Sequence, residues 1–404
     1  MSQNIFVTGI GAFSSIGKDV PETLEALKNS RSGIGSITVL DTIHKGEIPV
    51  CEIKHHNAEL QELFGFSKAE KFTRTTLIAM FAVKEALEDA GIENTKDKSI
   101  RTGLISANTV GGMDVTEQQY PNFLNLEKEG EFVYYIDKHD CGASTEDLAD
   151  YFSIKDYIAT ISTACSSSAN SIMLGARLIK NGIIDRAVVG GTDALSKFTL
   201  NGFNSLKILD RAHCRPFDNS REGLNLGEGA GFIVLESEAL FAKQNKKAYC
   251  KLSGYANTND AFHQTASSPE GDGAWMAMKK ALEMGGLQAG QISYVNVHGT
   301  GTGNNDLSEG KAMLRIFDNK LPPFSSTKAL TGHTLGAAGG LEAVFSILAL
   351  EKQLIYPNLN FKTPMEEIGI SPEKELITDR KIDHVLSNSF GFGGNNSTLI
   401  FSRI

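Results

Sequence analysis

The stretch STACSSSANS (residues 162–171) places one cysteine, Cys165, among small hydroxyl residues at a change of sequence pattern. The preceding YIATIST is rich in strand-forming residues, whereas the following SSANSIMLGARLIKNG spaces its apolar residues as on a helix and ends at a glycine. Cys165 is therefore predicted at a strand-to-helix turn, where a helix N-terminus stabilises a thiolate and lowers the pKa of the cysteine. From this segment alone, a small buried hydrophobic residue is the commoner alternative.

The same alternation of strand and helix runs through the rest of the chain. Short apolar runs bounded by glycine, such as residues 5–7 and 187–189, are separated by helical segments, which predicts an α/β protein with buried sheets. One helix is especially clear, because Ser67 and Glu70 form a capping-box pattern before LIAMFAVKEALEDA, and Gly91 follows as a C′ residue.

The length and amino-acid composition limit the classes of protein to which the chain can belong. The 404 residues, of which 41% are hydrophobic and 22% charged, can bury a large core and are enough for two or three domain-sized units. A net charge of -9 gives no overall attraction to nucleic acid or to an anionic membrane. The chain has no apolar stretch long enough to span a bilayer, and its five scattered cysteines contain no C-x-x-C pair, so we expect a cytoplasmic protein without a disulfide framework or zinc site.

A boundary between two halves is predicted near LFAKQNKKAYC (residues 240–250), where a charged stretch follows the strand-like GFIVLE. We place it between residues 245 and 246, giving units 1–245 and 246–404. Both read as mixed strand and helix, which is compatible with a duplicated α/β unit, although periodicity alone does not establish duplication.

Three further stretches carry residues able to do chemistry. YVNVHGTGTGNND presents His298 at the end of a strand-like run, SSTKALTGHTLGAAGGLEA holds Lys328 and His333 before a helix of small residues, and SNSFGFGGNNS is a glycine-rich loop between two strand-like runs. Taken singly, a histidine such as His298 is more often a hydrogen-bonded structural residue, and the lysine is compatible with a solvated surface charge. The GTGTG loop lacks the GK[ST] ending of a P-loop, and the early GIGAFSSIG is only a fragment of a dinucleotide fingerprint, so a packing role is assigned to it.

Together and in this order, the four stretches resemble the β-ketoacyl-acyl carrier protein synthases of type I/II, condensing enzymes of the thiolase superfamily. The resemblance runs from VTGIGAFSSIG through TACSSS, RPFDNSREGLNLGEGAGFIVLE, VNVHGTGT and TKALTGHTLGAAG to NSFGFGGNN. It implies a five-layered αβαβα thiolase-like fold of two similar halves. It also makes Cys165 a nucleophile that is acylated by an acyl thioester and then discharged by malonyl carrier protein after decarboxylation.

The resemblance assigns roles to further residues. His298 and His333 match the histidines that stabilise the malonyl-derived enolate, and Lys328 organises charge around His333. The backbone N–H groups of Cys165 and Phe392 match the oxyanion hole, and the Phe392 side chain matches the gating phenylalanine. Further matches are those for substrate binding, Thr300, Thr302, Val110, Phe203 and Phe390, and for support of the site, Glu342, Asp306 and Glu309.

Partners and cofactors also follow from the resemblance. The substrates are carried on acyl carrier protein, whose phosphopantetheine arm belongs to the substrate, so no cofactor is expected. Lys68, Lys71 and Arg74, about one helical turn apart, match a helix start that docks the acidic carrier, although an ordinary solvated helix face explains them equally well. A homodimer, or a heterodimer with a chain length factor, is implied. So is a monovalent cation of no catalytic role, near the residues Asn296, Glu342, Ser387 and Asn388.

Related members of the thiolase superfamily can be compared with this chain on the same residues. The pair of histidines separates this chain from type III synthases, and the absence of a cysteine after Cys250 separates it from thiolases. A non-catalytic chain length factor would keep the fold but lack the nucleophile. This chain retains Cys165, His298, Lys328 and His333, which argues against that alternative.

Two stretches depart from housekeeping synthases, GNNDLSEG after HGTGT and the acidic HDCGASTEDLADYFSIKD. The chain is similar to ketosynthases of aryl polyene or flexirubin clusters, and this similarity predicts a rigid, unsaturated primer.

Overall fold

The computed structural model describes residues 4–67, 72–125, 136–244 and 246–404. Its elements fall into two consecutive sets. The first set comprises β1 (Ile5–Ser14), α1 (Val20–Lys28), β2 (Ile34–Gly35), β3 (Val50–Cys51), α2 (Asn57–Phe64), α3 (Arg74–Asp89), β4 (Thr102–Ala107), α4 (Met113–Leu124), α5 (Cys141–Tyr151), β5 (Tyr157–Ile161), α6 (Ser167–Lys180), β6 (Arg186–Asp193), α7 (Lys197–Ser205), β7 (Gly229–Ser237) and α8 (Glu238–Lys243).

Six residues separate the end of α8 from the second set. It comprises β8 (Cys250–Asn259), α9 (Asp272–Gly285), β9 (Tyr294–Asn296), α10 (Gly303–Ile316), β10 (Phe324–Ser325), α11 (Lys328–Thr331), α12 (Ala338–Lys352), β11 (His384–Gly391) and β12 (Asn395–Ser402). Short 3₁₀ turns at Leu335–Ala337 and Phe392–Gly394 precede α12 and β12.

The two sets repeat one topology. Among the described residues, the ten strands of the main sheet run in the order β10-β9-β11-β12-β8-β1-β7-β6-β4-β5, so each set contributes five neighbouring strands. In the first half β4 is parallel to β5 and β6, whereas β7 is antiparallel to β6 and β1. In the second half β9, β10, β11, β12 and β8 repeat the same pattern. The duplicated α/β unit is thus confirmed, and the halves join where β1 pairs briefly with β8. The predicted boundary at residues 245/246 falls in the α8–β8 connection and stays a prediction.

Helices on the outer faces of the two half-sheets and between them give the fold five layers. Helices α3 and α5 cover the outer face of the first half-sheet, and α9 and α10 cover the outer face of the second. Helices α6 and α12 lie between the half-sheets, where their side chains share one apolar core with both. Residues 338–350 of α12 are all buried, as a central helix requires. The αβαβα arrangement predicted from the resemblance is therefore confirmed.

Helix α3 corrects one local prediction. It begins at Arg74 with Thr73 as its N-cap, and the Thr73 hydroxyl accepts a hydrogen bond from the backbone N–H of Thr76. Ser67 is therefore not the N-cap of this helix, and Glu70 lies outside the described residues. The C-terminal prediction is confirmed, since Gly91 has a φ of 65° just after the C-cap residue.

The glycines of the first strand have the predicted packing role. A Cβ at Gly11 would lie 2.0 Å from the backbone oxygen of Ala82, and one at Gly9 would lie 2.3 Å from that of Ala86. Strand β1 can therefore approach α3 this closely only with glycine at these positions. In the part of the chain that the structure describes, no helix is both long and apolar enough to cross a bilayer.

Candidate active site

Cys165 lies at the turn between β5 and α6, as its sequence context predicts. The preceding Ala164 has a φ of 53°, a left-handed conformation that is uncommon for a residue with a side chain. The turn is held by hydrogen bonds from the Thr163 N–H to the Ser167 hydroxyl and from the Ser166 hydroxyl to the Thr163 carbonyl, each 2.8 Å. This conformation places Cys165, which is 7% exposed, at the floor of a cavity.

His298 follows β9 and enters the GTGTG loop. Glu309 of α10 accepts hydrogen bonds from the backbone N–H groups of His298 (2.9 Å) and Gly299 (2.8 Å). Asp306 accepts from the N–H groups of Thr300 (2.9 Å) and Phe217 (2.8 Å). The two carboxylates therefore hold the loop through its backbone, a supporting role consistent with the sequence prediction.

Lys328 begins α11, and His333 lies two residues after that helix ends, in a β-bridge with Leu226. The His333 N–H donates to the carbonyl of Asn225 at 2.7 Å, and the His333 carbonyl accepts from the Gly227 N–H at 3.0 Å. Lys328 is buried and forms an ion pair with Glu342 of α12. The imidazole rings of His298 and His333 face the same cavity, with their centroids 5.3 Å apart at an interplanar angle of 85°.

The GFGG loop closes the cavity from the second half. The backbone N–H groups of Phe392 and of Cys165 itself both face the Cys165 sulfur. The Phe392 ring stacks on Phe203 at a centroid distance of 5.8 Å, and Phe390 lies 5.8 Å from His298. Two converging N–H donors beside a nucleophile form an oxyanion hole.

The cavity itself encloses about 160 Å³ and is lined by eight of the ten residues predicted to be catalytic, gating or substrate-binding, Lys328 and Val110 being the exceptions. From the sequence prediction it brings together Cys165, His298, His333, Thr300, Thr302, Phe203, Phe390 and Phe392. Val110 does not line it but packs behind it in one apolar cluster with Phe203 and Leu335.

The acid–base state of the site differs from the sequence prediction. Burial raises the pKa of the Cys165 thiol to about 11, although the positive charge of Lys328 and the N–H group of Phe392 act in the opposite direction. The prediction of a lowered cysteine pKa was therefore wrong, since desolvation outweighs the groups that favour the thiolate. Burial, followed by the charge of Lys328, lowers the pKa of both His298 and His333. Both imidazoles are thus neutral at neutral pH and able to accept a proton.

The structure removes Arg74 from the predicted docking surface. Its side chain is 7% exposed, and its guanidinium forms an ion pair with the buried Glu228 and donates to the backbone oxygens of Ile53 and His55. The position at a helix start was correct, but the side chain faces inward because it neutralises Glu228. Lys68 and Lys71 lie outside the described residues.

Three predicted cation ligands carry oxygens that fit such an ion. The Asn296 Oδ1, Glu342 Oε2 and Ser387 Oγ atoms are buried and have no hydrogen-bond partner among the described residues. Oxygen donors of this kind suit a hard monovalent cation. The Asn388 side chain is already hydrogen-bonded at both ends, because its amide donates to Glu309 and its oxygen accepts from Thr398.

The sequence did not single out two other features. Thr265, Ala266 and Ser267, between β8 and α9, line the mouth of the cavity, and Asn304 pairs with the backbone N–H (2.7 Å) and carbonyl (3.3 Å) of Ser267. Asn304 belongs to the GNND departure, which was the one available signal. Asp193, buried at the end of β6, had no signal in its own sequence context.

Comparison with known proteins agrees with this geometry. Residues 2–240 match the family model described as the N-terminal domain of β-ketoacyl synthase, and residues 249–362 match that of the C-terminal domain. A "3-oxoacyl-[acyl-carrier-protein] synthase 2" of Staphylococcus aureus (strain MRSA252) is 33% identical over 413 residues, covering 100% of this chain and 99% of the relative.

Solved structures give the same result. "The ishigamide ketosynthase/chain length factor" aligns with a TM-score of 0.92 at 28% identity, covering 100% of both chains. A ketosynthase from Xenorhabdus doucetiae, solved in complex with its chain length factor, aligns with a TM-score of 0.84 at 29% identity, covering 100% of this chain and 98% of that one. The chain belongs to the β-ketoacyl synthase family. It is accordingly a thiolase-fold condensing enzyme of the acyltransferase class.

Proposed function

We propose that the chain elongates an acyl group held on Cys165, using acyl and malonyl thioesters of an acyl carrier protein. The observation that carries this proposal is the convergence, in one cavity, of a thiol from the first half with two neutral histidines and the Phe392 N–H from the second. This set supplies a nucleophile, bases and an oxyanion hole.

In the first half-reaction Cys165 takes the acyl group. A neutral imidazole accepts the thiol proton while the sulfur attacks the thioester carbonyl, because the thiol does not ionise by itself at neutral pH. The N–H groups of Cys165 and Phe392 hold the resulting oxyanion. The carrier sulfur leaves and takes up a proton, so the acyl chain remains on Cys165.

In the second half-reaction malonyl carrier protein enters beside His298 and His333. Its carboxylate leaves as carbon dioxide, and the electron pair of the broken bond forms an enolate whose oxygen accepts hydrogen bonds from the imidazoles. The enolate carbon attacks the Cys165 thioester, the carbon–sulfur bond breaks, and the released Cys165 thiolate takes up a proton from water. No step requires an oxidant or a redox cofactor. A cation held by Asn296, Glu342 and Ser387 would neutralise the Glu342 charge behind the site.

The test is product formation by the purified chain from acyl and malonyl carrier proteins. Formation of β-ketoacyl carrier protein, lost in His298→Ala and His333→Ala variants, is the expected result. If the chain makes no product alone but a second ketosynthase requires it for activity, and Cys165→Ala still supports that activity, the chain is instead a chain-length-factor-like subunit.

We further infer a second thiolase-like subunit on the edge strand β5. This strand ends the sheet, no other described strand pairs with its outer edge, and Ile158 is 44% exposed there. An unpaired edge is a template for pairing with another chain. Sedimentation of the chain alone and with a chain length factor distinguishes homodimer from heterodimer, and Ile158→Lys should weaken either. A monomer under both conditions would reject the inference.

The primer is proposed to be rigid and unsaturated, as the departures from housekeeping synthases suggest. The acidic stretch builds α5 and leads into β5, and the Asn108 side chain binds the Cys141 carbonyl from the loop after β4. Competition between polyenoyl and saturated carrier thioesters of equal length tests this point. Equal or better use of the saturated primer would contradict it.

A further inference from the structure

Asp193 lies at the end of β6 and joins two loops of different halves. Its side chain is fully buried. One carboxylate oxygen accepts hydrogen bonds from the backbone N–H groups of Thr109 (2.9 Å) and Val110 (3.1 Å), in the loop after β4. The other accepts from the Thr109 hydroxyl at 2.7 Å and from the backbone N–H of Gly336 at 2.6 Å.

Through its hydrogen bond with Gly336, Asp193 contacts the loop that carries His333. Gly336 belongs to the 3₁₀ turn that begins two residues after His333, and the first residue of that turn, Leu335, has a φ of 53°. A Cβ on Gly336 would lie 2.8 Å from the Asp193 carboxylate, so the fit is close. The Nδ1 atom of His333 has no hydrogen-bond partner among the described residues, so no bond at this atom orients the ring and the backbone contributes to its position.

The Thr109 contact brings Asp193 close to the acyl side of the cavity. Val110, which follows Thr109, packs with Phe203 in the apolar cluster behind the cavity, and Leu335 belongs to the same cluster. The wall that an acyl chain would contact is therefore joined to the His333 loop twice, through the carboxylate and through apolar packing.

We propose that Asp193 is a positioning residue that couples the acyl pocket to His333, so that loading an acyl chain prepares the histidine for the malonyl step. This inference rests on the role proposed for His333. It explains why one buried carboxylate serves both loops, since an apolar or neutral residue could hold at most one of them. The enzyme would then decarboxylate malonyl carrier protein mainly when an acyl group is ready to receive the enolate.

The experiment measures carbon dioxide release from malonyl carrier protein by free enzyme and by enzyme acylated on Cys165. The acylated wild type is expected to release it about 5- to 150-fold faster, the usual range for coupling between two sites. In Asp193→Asn this ratio should fall towards one, because an amide has one oxygen and turns its NH₂ group towards the N–H donors of the other loop. Thr109→Val, which removes one donor and keeps the shape, should lower the ratio less.

Glu52→Gln is the matched control. Glu52 is also a buried carboxylate that accepts several backbone N–H groups, those of Thr38, Val39 and Leu40, but it does not contact the His333 loop. Its ratio should equal that of the wild type. A wild-type ratio of one, or an Asp193→Asn enzyme slowed equally in both states, would overturn the inference. Failure of His333→Ala to slow release from acylated enzyme would instead reject the proposed role of His333.

Discussion

The backbone N–H of Phe392 faces the sulfur of Cys165, although the two residues come from opposite halves of the fold. The side chain of the same phenylalanine stacks on Phe203 at the wall of the cavity. One residue thus presents a backbone donor to the Cys165 sulfur and a ring to the wall of the same cavity.

Enlarging the pocket should change product length. Phe203→Ala removes the ring that stacks on Phe392, and the larger apolar space should favour longer primers by about 10-fold or more in kcat/KM, the scale set by one or more methylenes in a pocket. Chromatography of products from mixed primers measures the preference. Phe262→Ala, at an exposed phenylalanine that does not line the cavity, is the control. Unchanged lengths in Phe203→Ala would contradict the assignment of the acyl pocket.

The thiol should react slowly at neutral pH. With a pKa of about 11 in the folded enzyme, the thiolate fraction of Cys165 rises with pH, so the alkylation rate should increase about ten-fold per pH unit between pH 7 and pH 10. Iodoacetamide kinetics followed by peptide mass spectrometry measure this rate at Cys165. A rate that is already constant above pH 8 would show a thiol of much lower pKa.

Removing one partner of the buried ion pair between Lys328 and Glu342 should destabilise the folded protein. Lys328→Met leaves the Glu342 carboxylate buried without its partner, and we expect a loss of about 3–5 kcal/mol in the free energy of unfolding. Replacing both residues, in Lys328→Met with Glu342→Leu, should restore much of that loss. Urea denaturation compares the three proteins. Equal stability of the single and double variants would argue against the pair as a structural unit.

The three basic residues first assigned to carrier docking should respond differently to charge reversal. Reversing Lys68 and Lys71 to glutamate should raise the KM for carrier substrate with little effect on stability, whereas Arg74→Glu should destabilise the fold by placing a second buried carboxylate beside Glu228. Steady-state kinetics and thermal melting measure the two effects. Lys279→Glu on α9, at the outer layer of the second half, is the docking control. An unchanged KM in the double lysine variant would reject the docking role.

The positions of several site residues in the fold could be predicted from the sequence immediately around them. Cys165 stands at a strand-to-helix turn, His298 at a strand end and Phe392 in a glycine loop, and each position follows from its neighbours in the chain. Burial is a tertiary property, so the direction of the Cys165 pKa and the inward orientation of Arg74 could not be predicted from those neighbours. Asp193 gave no signal for the same reason, because the loops that it joins lie 84 and 143 residues away.

The most direct test of the account is intact-protein mass after incubation with acyl carrier thioesters, for wild type, Cys165→Ala and the control Cys250→Ala. Cys250 is a buried free cysteine that does not line the cavity. We predict one acyl adduct on wild type and on Cys250→Ala, none on Cys165→Ala, and its discharge as β-ketoacyl product when malonyl carrier protein is added. An adduct that survives in Cys165→Ala, or that malonyl carrier protein does not discharge, would contradict the account.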